Sequence, residues 1–286
     1  MLARVPGVTA AGELVHLWTR GLRDDEPCGC GLPFSVCPRW REVGDRAFGG
    51  WATLKAEEQV DLQRSVDRQR YLPRILLGLT ARSRNGRRYL GQLGQLYEAI
   101  GSVAGTKVVI DSSKHASTLL LLRDVAGIEL FMVHLVRDPR GVVNSWARRT
   151  ARPEVPGTEM HRVSSTRATF RWIGRNLQGE LAARTVPSVR IRYEDLVTDP
   201  DATLGSLAAR LGLDPPPMVG PSRCVELLED HTVAGNPMRF QTGAIELKPD
   251  QRWQRELRPV RRRIVTITTW PLRKKYSYSV AGDRDG

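Results

Sequence analysis

Residues 107–148 have the sequence KVVIDSSKHASTLLLLRDVAGIELFMVHLVRDPRGVVNSWAR, and this stretch decides the fold class. It contains two short apolar runs, Val108 to Ile110 and Leu130 to Val136, with a helix-length segment between them. Such runs, bounded by turn residues, are typical of buried parallel strands in an α/β unit. Both runs end in basic loops, the first of them rich in serine, and ligands of these sheets bind beyond the carboxyl ends of the strands. The sequence therefore predicts an anion site at this edge.

The loop after the second run also favours an anion. Pro139 suits the first turn of a helix because an N–H would have no partner there, which predicts a helix from about Pro139 to Arg149. The positive end of that helix would lie near Arg137, whose guanidinium can bind a phosphate through two parallel hydrogen bonds. Ser145 could close on the same group. The alternative is that Arg137 and Asp138 only pair with neighbours and cap the helix.

Four segments of the chain resemble sulfotransferases that use 3'-phosphoadenosine 5'-phosphosulfate, in particular the bacterial branch of that family. They are Asp111-Ser112-Ser113-Lys114, the pair Arg137 and Ser145, Tyr193-Glu194-Asp195-Leu196, and residues 231–243 followed by Trp253. Each is weak alone, but four in the expected order are fairly specific. The resemblance implies a single α/β domain over residues 1–286. Its expected form is a P-loop-NTPase-like parallel sheet flanked by helices, with a helical insertion at about 15–105.

The resemblance also implies roles for individual residues. In the family pattern, Arg137 and Ser145 bind the 3'-phosphate of the donor, and Tyr193 contacts its adenine. Ser113 joins the donor-binding residues, and Arg239 is a third phosphate ligand in the segment that closes over the donor. The implied function is transfer of a sulfuryl group from 3'-phosphoadenosine 5'-phosphosulfate to a hydroxyl of a small-molecule, glycan or lipid acceptor.

The sequence departs from the family at its start. The family's phosphosulfate loop, a Gly/Ser/Thr-rich turn between a strand and a helix, has no counterpart here. Met1 to Val8 resembles the end of the helix that would follow that loop. The first central strand and the phosphate loop are therefore expected to be missing from this chain, which would leave two strand edges unpaired. Two explanations stay open: a start codon placed too late, or a true truncation that leaves the chain inactive.

Sulfuryl transfer needs in-line geometry, a cation near the leaving oxygen and a base for the acceptor hydroxyl. Lys114, at a strand end, is the expected charge stabiliser, and a surface salt bridge is its alternative role. Glu13 is the expected base, because carboxylates at this place serve as bases in some related enzymes. His115 is the rival base. Two other classes stay open: a catalytically dead sulfotransferase-like binding protein, and a nucleotide or small-molecule kinase-like protein.

The composition indicates an anionic ligand. The 286 residues include 44 Lys and Arg against 31 Asp and Glu, and the resulting net charge of +13 suits a polyanionic nucleotide. Nucleic acid is the alternative, but the arginines are spread along the chain and no nucleic-acid module is recognisable, so no nucleic acid partner is expected. The sequence shows neither an apolar stretch long enough to span a bilayer nor a signal-type segment, so we expect a cytoplasmic protein.

Cys28, Cys30 and Cys37 form a C-x-C-x6-C cluster, with His16 upstream. Three cysteines and a histidine can bind zinc, but C-x-C is shorter than the usual spacing of structural zinc sites. Reduced packing thiols are the favoured interpretation, and no metal is expected. The resemblance covers this loop as well, and it implies a substrate-side lid without a metal.

Periodicity predicts the remaining elements. Apolar residues at helical spacing predict helices at Leu54 to Leu79, Gly86 to Ile100 and Arg162 to about Ala183, and alternation predicts a strand at Pro187 to Tyr193. The predicted core face of the third helix consists of Phe170, Trp172, Ile173, Leu177 and Leu181. The Pro- and Gly-bearing residues 150–161 predict a loop.

Overall fold

A computed structural model describes residues 1–148, 162–220 and 222–278. The loop predicted at 150–161 lies outside these residues. The chain forms two compact units. The first unit comprises Met1–Phe131 and Gly205–Ile245, and the second comprises Met132–Leu204 and Glu246–Gly286. No helix in the described part of the chain has both the length and the apolar character that crossing a membrane requires.

The strands are β1 Val8–Gly12, β2 Val108–Asp111, β3 Met132–Val136, β4 Ser188–Arg192, β5 Cys224–Leu227 and β6 Gly243–Glu246. The α-helices are α1 Pro38–Phe48, α2 Ala56–Val66, α3 Leu72–Leu76, α4 Leu79–Arg82, α5 Arg84–Ala104, α6 Ala116–Leu122, α7 Pro139–Ala147, α8 Ser165–Ala182, α9 Tyr193–Thr198, α10 Pro200–Arg210, α11 Trp253–Glu256, α12 Pro259–Thr268 and α13 Trp270–Lys275. A 3-10 turn at Leu14–His16 leads into a π-helical segment at Leu17–Arg23.

Four of the strands form two parallel pairs, and β5 and β6 form a further two-stranded sheet. β1 pairs with β2, with Val8 opposite Val108, and β3 pairs with β4, with Met132 opposite Ser188. The predicted α/β class with parallel strands is therefore confirmed. Within the described residues, β2 and β3 each have one edge without a strand partner.

The start of the chain differs from its interpretation as the end of a helix. Only Leu2–Arg4 is helical, as a 3-10 turn, and β1 begins at Val8. The strand was not predicted because its sequence, VTAAG, is short and made mostly of small side chains. Its hydrogen bonds to β2, about a hundred residues later, supply the stability that its own sequence does not indicate.

The predicted helix from Leu54 to Leu79 is broken into several pieces. α2 ends at Val66, and the next residue, Asp67, is buried and accepts a 2.7 Å hydrogen bond from Thr118 Oγ1. Gly78 adopts φ +68° between α3 and α4, a left-handed conformation that interrupts a helix. The continuous apolar periodicity therefore covers three separate α-helices, α2, α3 and α4.

Helix α8 buries only part of the predicted face. Trp172 is buried and Ile173 packs partly buried against the core, as predicted, but Phe170, Leu177 and Leu181 are exposed and Asn176 is buried. The Trp172 indole donates a 3.0 Å hydrogen bond to the Arg137 carbonyl, and the Asn176 carbonyl lies 3.2 Å from a ring nitrogen of His134. Polar contacts to β3 and its following loop thus orient the helix, and a hydrophobicity pattern does not register such contacts.

An aromatic cluster forms much of the core of the first unit. It consists of Trp18, Phe34, Trp40, Phe48 and Trp51, whose ring centroids lie 5.3 to 6.4 Å apart in the contacting pairs. Gly44 in α1 lets Trp51 pack against the helix, because a Cβ at this position would lie 2.4 Å from Trp51 Nε1. Close packing of this kind leaves no room for an added methyl group.

Gly44→Ala should lower the free energy of unfolding by about 1 to 3 kcal/mol, because the added Cβ would displace Trp51. Gly91→Ala is the matched control: Gly91 also lies within a helix, α5, but an added Cβ would meet no atom within 4 Å. That change should raise stability by about 0.5 to 1 kcal/mol through helix propensity. Urea unfolding of the full chain measures both, and equal effects of the two substitutions would contradict the packing argument.

Candidate functional site

The carboxylate of Asp111, the last residue of β2, joins three parts of the first unit. Its Oδ1 accepts hydrogen bonds from the backbone N–H groups of Leu14, at 3.2 Å, and Ser113, at 2.7 Å. Its Oδ2 accepts a 2.6 Å hydrogen bond from the Tyr97 hydroxyl. Burial and the nearby carboxylate raise the pKa of Tyr97, so its hydroxyl stays protonated and donates. Asp111 therefore fixes the loops after β1 and β2 against α5.

Ser113, predicted to contact the donor, lies in the loop that follows β2. Its hydroxyl oxygen accepts a 3.0 Å hydrogen bond from the Val15 backbone N–H. Ser113 therefore adds a second link between this loop and the 3-10 turn after β1. Its contact with a donor stays a prediction.

The predicted catalytic residues Glu13, Lys114 and His115 gather at the carboxyl ends of β1 and β2. Lys114 Nζ donates to Glu13 Oε1, although the two residues are 101 positions apart. The Lys114 side chain is 59% exposed, whereas that of Glu13 is 14% exposed, so the carboxylate lies deeper than the cation. The ring of His115 meets that of His16 edge-on at a centroid distance of 6.1 Å.

His16 also belongs to this cluster. The sequence indicated it only as a candidate metal ligand, so its place beside Glu13 was not predicted. Its Nε2 lies 3.5 Å from Glu13 Oε2, at an i, i+3 spacing that a short helical turn brings to one side. Burial lowers the pKa of His16, against the opposing effect of the Glu13 carboxylate. The imidazole is therefore neutral at neutral pH, and the cluster offers two groups that can accept a proton.

In the second unit, Arg137 lies between β3 and α7, half-buried beside an acidic and an aromatic side chain. Its guanidinium is 3.0 Å from Asp250 Oδ2 and 4.5 Å above the ring of Tyr193. Hydrogen bonds from Arg252 and from Arg137 hold the pKa of Asp250 below its usual range, so this carboxylate stays ionised. Ser145 is half-buried within α7. The alternative predicted for Arg137, pairing with a neighbouring group, is thus observed in its ion pair with Asp250.

The N-terminus of α7 is capped and tied to the Tyr193 segment. Asp138 accepts a 2.8 Å hydrogen bond from the Arg140 N–H, so it is the cap that the sequence permitted. Glu194 Oε1 accepts from the Asp138 N–H, and Glu194 Oε2 accepts from the Tyr278 hydroxyl at 2.7 Å. The helix starts at Pro139 as predicted and ends at Ala147. These contacts fix the positions of Arg137 and Tyr193 relative to each other.

Arg239, the predicted third phosphate ligand, lies in the first unit and donates to backbone carbonyls. Its NH1 bonds the Thr232 carbonyl and its NH2 bonds the Pro27 carbonyl, both at 2.8 Å. These hydrogen bonds join the cysteine loop to the segment after β5. A role in phosphate binding stays a prediction.

Four groups with metal-ligand chemistry come together beside this junction. Cys28, Cys30, Cys37 and His231 place their sulfur and ring-nitrogen atoms within 4.8 Å of one another. The histidine is His231 and not His16, the one considered from sequence. The hydrogen bond with the Cys28 thiol lowers the pKa of Cys37, so the thiol of Cys37 ionises first.

Comparison with known proteins gives one family. The model of the sulfotransferase family matches residues 48–217, more than half of the chain. A comparison with curated proteins found no match. The sulfotransferase domain of the Synechococcus PCC 7002 olefin synthase resembles the chain with a TM-score of 0.47 and 18% identity, over 97% of each chain. The sulfotransferase domain from the curacin biosynthetic pathway has a TM-score of 0.41 and 16% identity, over 93% of this chain and 98% of that one.

Asp111→Ala should lower the free energy of unfolding by about 2 to 4 kcal/mol, because two backbone N–H groups and the Tyr97 hydroxyl lose their acceptor. Asp111→Asn should cost less, since its amide keeps one oxygen for the backbone donors and the tyrosine hydroxyl can rotate to accept. Chemical denaturation of both variants measures the difference. If Asn is as harmful as Ala, hydrogen bonding by this side chain is not what holds the loops.

Proposed function

The chain belongs to the sulfotransferase family, and we propose that it moves a sulfuryl group from 3'-phosphoadenosine 5'-phosphosulfate to an acceptor hydroxyl. The observation that carries this proposal is the contact between Glu13 and Lys114 at the carboxyl ends of β1 and β2. It places a base and a cation at the edge where parallel sheets bind ligands. Both are requirements of the reaction.

The proposed reaction uses these two groups at opposite ends of one displacement. The acceptor oxygen forms a bond to sulfur and gives its proton to the Glu13 carboxylate. The bond between sulfur and the bridging oxygen of the donor breaks, and its electron pair stays on the 5'-phosphate. Lys114 neutralises the negative charge that grows on that oxygen. Its exposed ammonium group can move from Glu13 to the donor at little cost, because surface ion pairs are weak.

His115 and His16 are the alternative bases. His16 contacts Glu13, so it can hold the carboxylate in place or take the proton from it. The ring of His115 meets that of His16 edge-on. We assign Glu13 as the base because it makes direct contact with the proposed charge stabiliser Lys114.

The donor nucleotide is assigned to residues of the second unit. Arg137 presents a guanidinium at the N-terminus of α7, where both the side chain and the helix dipole favour a phosphate. Tyr193 offers a ring on which a base can stack, and Ser145 offers a hydroxyl on the same helix as the capped terminus. A cation, a hydroxyl and an aromatic ring fit the 3'-phosphate and adenine of the donor. The sequence has no Gly-rich loop that fits the 5'-phosphosulfate in the same way.

A second candidate function follows from that mismatch. A protein that binds the nucleotide through Arg137 and Tyr193, but lacks a cradle for the phosphosulfate, would be a binding protein without transfer activity. The loop after β1, residues 13–16 with the sequence ELVH, favours this candidate, because it has none of the glycines whose backbone N–H groups normally cradle a phosphate. Binding and transfer must therefore be measured separately.

Arg137→Ala should weaken binding of 3'-phosphoadenosine 5'-phosphate by roughly 10- to 100-fold, the loss expected for one charge-assisted contact. The remaining carboxylate is not left unpaired, because Asp250 keeps its hydrogen bonds to Arg252 at 2.7 and 2.9 Å. Arg171→Ala is the matched control, since Arg171 is an exposed arginine on α8 of the same unit. Isothermal titration calorimetry measures the affinities. Equal affinity of wild type and Arg137→Ala would refute the donor assignment.

Glu13→Gln and Lys114→Ala should each reduce sulfuryl transfer by roughly 100-fold or more. Glu13→Gln should leave binding of 3'-phosphoadenosine 5'-phosphate unchanged, whereas Lys114→Ala should weaken it, because this nucleotide carries the 5'-phosphate charge that Lys114 neutralises. Exposed residues of the first unit provide the controls, Glu98→Gln on α5 and Lys107→Ala before β2. Radiolabelled donor is offered with a panel of hydroxyl acceptors: sugars, glycolipids, phenols and hydroxyl-bearing peptides. Transfer by Glu13→Gln at the wild-type rate would refute the base. Nucleotide binding without transfer by the wild-type chain would instead support the binding protein.

A further inference from the structure

The first unit contains a cluster of soft ligands that the proposed reaction does not use. Cys28, Cys30 and Cys37 lie in the loop before α1, and His231 comes from the segment after β5, almost 200 residues later. We propose that these four residues form a structural zinc site with three thiolate ligands and one imidazole ligand. Cys3His is an established donor set for structural Zn²⁺.

The spacing of the ligand atoms matches a tetrahedron around zinc. With Zn–S bonds of about 2.3 Å, two sulfurs of a tetrahedral site lie about 3.8 Å apart. Cys37 Sγ is 3.6 Å from Cys28 Sγ and 3.7 Å from Cys30 Sγ. A sulfur and a nitrogen ligand should be about 3.5 Å apart. His231 Nδ1 lies 3.3 Å from Cys37 Sγ and 4.0 Å from Cys28 Sγ.

The same contacts separate a metal site from a cluster of packed thiols. Thiols packed in a core touch at similar distances, but they have no need of an imidazole nitrogen that faces the same point. A disulfide would require two sulfurs at bonding distance, and all three cysteines are free. Cys28 and Cys37 are buried, so the centre of the cluster is shielded from water, as in a closed structural site.

A tight turn brings Cys28 and Cys30 to the same point. The Gly31 N–H donates a 2.8 Å hydrogen bond to the Cys28 carbonyl, and the Cys28 N–H donates a 2.8 Å hydrogen bond to the Leu32 carbonyl. Gly31 adopts φ +82° in this turn. The turn explains how the short C-x-C spacing can supply two ligands to one site.

The histidine is held beside the cysteines by hydrogen bonds to its own carbonyl and to that of the next residue. The Gly29 N–H donates to the Thr232 carbonyl at 3.0 Å, and Trp40 Nε1 donates to the His231 carbonyl at 3.0 Å. Gly29 is required for this approach, since a Cβ there would lie 2.6 Å from the Asp230 carbonyl oxygen. The two segments are therefore held together at the point where the four ligands meet.

The site would stabilise the segment that supports Glu13. Two residues after His231, Val233 accepts a 2.8 Å hydrogen bond from the Glu13 N–H and donates a 3.0 Å hydrogen bond to the Ala11 carbonyl. A metal at His231 thus anchors a backbone segment beside the proposed base. Metal binding itself does not rest on the proposed function, whereas this consequence for Glu13 does.

The test uses the full chain purified from zinc-supplemented medium without chelator. Elemental analysis for zinc, iron and copper should give about one zinc per chain, as four ligands around one ion require. Cobalt added to the metal-free chain should give the absorption of tetrahedral Co²⁺ with thiolate ligands. A chelator should lower the melting temperature of the zinc-bound chain. Donor binding and transfer are not part of this readout, so failure of the zinc site and failure of the proposed function are distinguishable.

Variants assign the ligands. Cys37→Ser and His231→Ala should lose the metal, whereas Cys224→Ser should keep one zinc, since Cys224 is exposed and lies outside the cluster. If a ligand variant does not fold, the cobalt spectrum of the wild-type chain still shows whether thiolates bind a metal in tetrahedral geometry. A wild-type chain without zinc and without a tetrahedral cobalt spectrum would overturn the proposal. So would a disulfide between two of the three cysteines, found by counting free thiols without reductant, or equal metal loss in Cys224→Ser.

Discussion

The carboxylate of Asp111 is the constraint on which the geometry of the first unit depends. Donors from the loop after β1, the loop after β2 and helix α5 converge on its two oxygens. Because these donors have one common acceptor, the two loops have one arrangement, and Glu13 meets Lys114 as a consequence. The ion pair adds little to stability, since its lysine is mostly exposed. The Asp111 carboxylate, and not the ion pair, sets the arrangement of the two loops. Lys114 can therefore leave Glu13 for the proposed ligand without disturbing them.

A second constraint acts on the other edge of β1. Gly12 approaches the Val233 backbone so closely that a Cβ would lie 2.3 Å from the Val233 carbonyl oxygen, and the backbone there adopts φ +86°. Glu13 then donates to that same carbonyl. The proposed base is therefore held between Val233 on one side and the Asp111 network on the other. Hydrogen bonds from Arg239 and Trp40 hold the Val233 segment against the residues around the cysteine loop. The position of Glu13 therefore depends on residues that are distant in sequence.

The sequence predicted those elements whose signal is local. β2, β3 and β4 coincide with apolar or alternating runs, and α7 starts at its proline. It did not predict β1, whose small side chains depend on pairing with β2. It placed Trp172 correctly in the core but missed the burial of Asn176, whose hydrogen bond helps to orient α8. Nor could it place His231 beside Cys37, because no local pattern connects residues 194 positions apart. The contact of Glu13 with Lys114 was likewise beyond a local pattern, although both residues were chosen for their chemistry.

In the second unit, the surroundings of Arg137 bear on the proposal that this structurally paired arginine binds a phosphate. The Trp172 indole binds its carbonyl, and the Tyr193 ring lies under its guanidinium, so the side chain is oriented before any ligand arrives. Asp250 neutralises it, but Asp250 also accepts two side-chain hydrogen bonds from Arg252. A phosphate that takes Arg137 would therefore leave Asp250 with a partner. The exchange avoids the main cost of breaking an ion pair, which is an uncompensated charge.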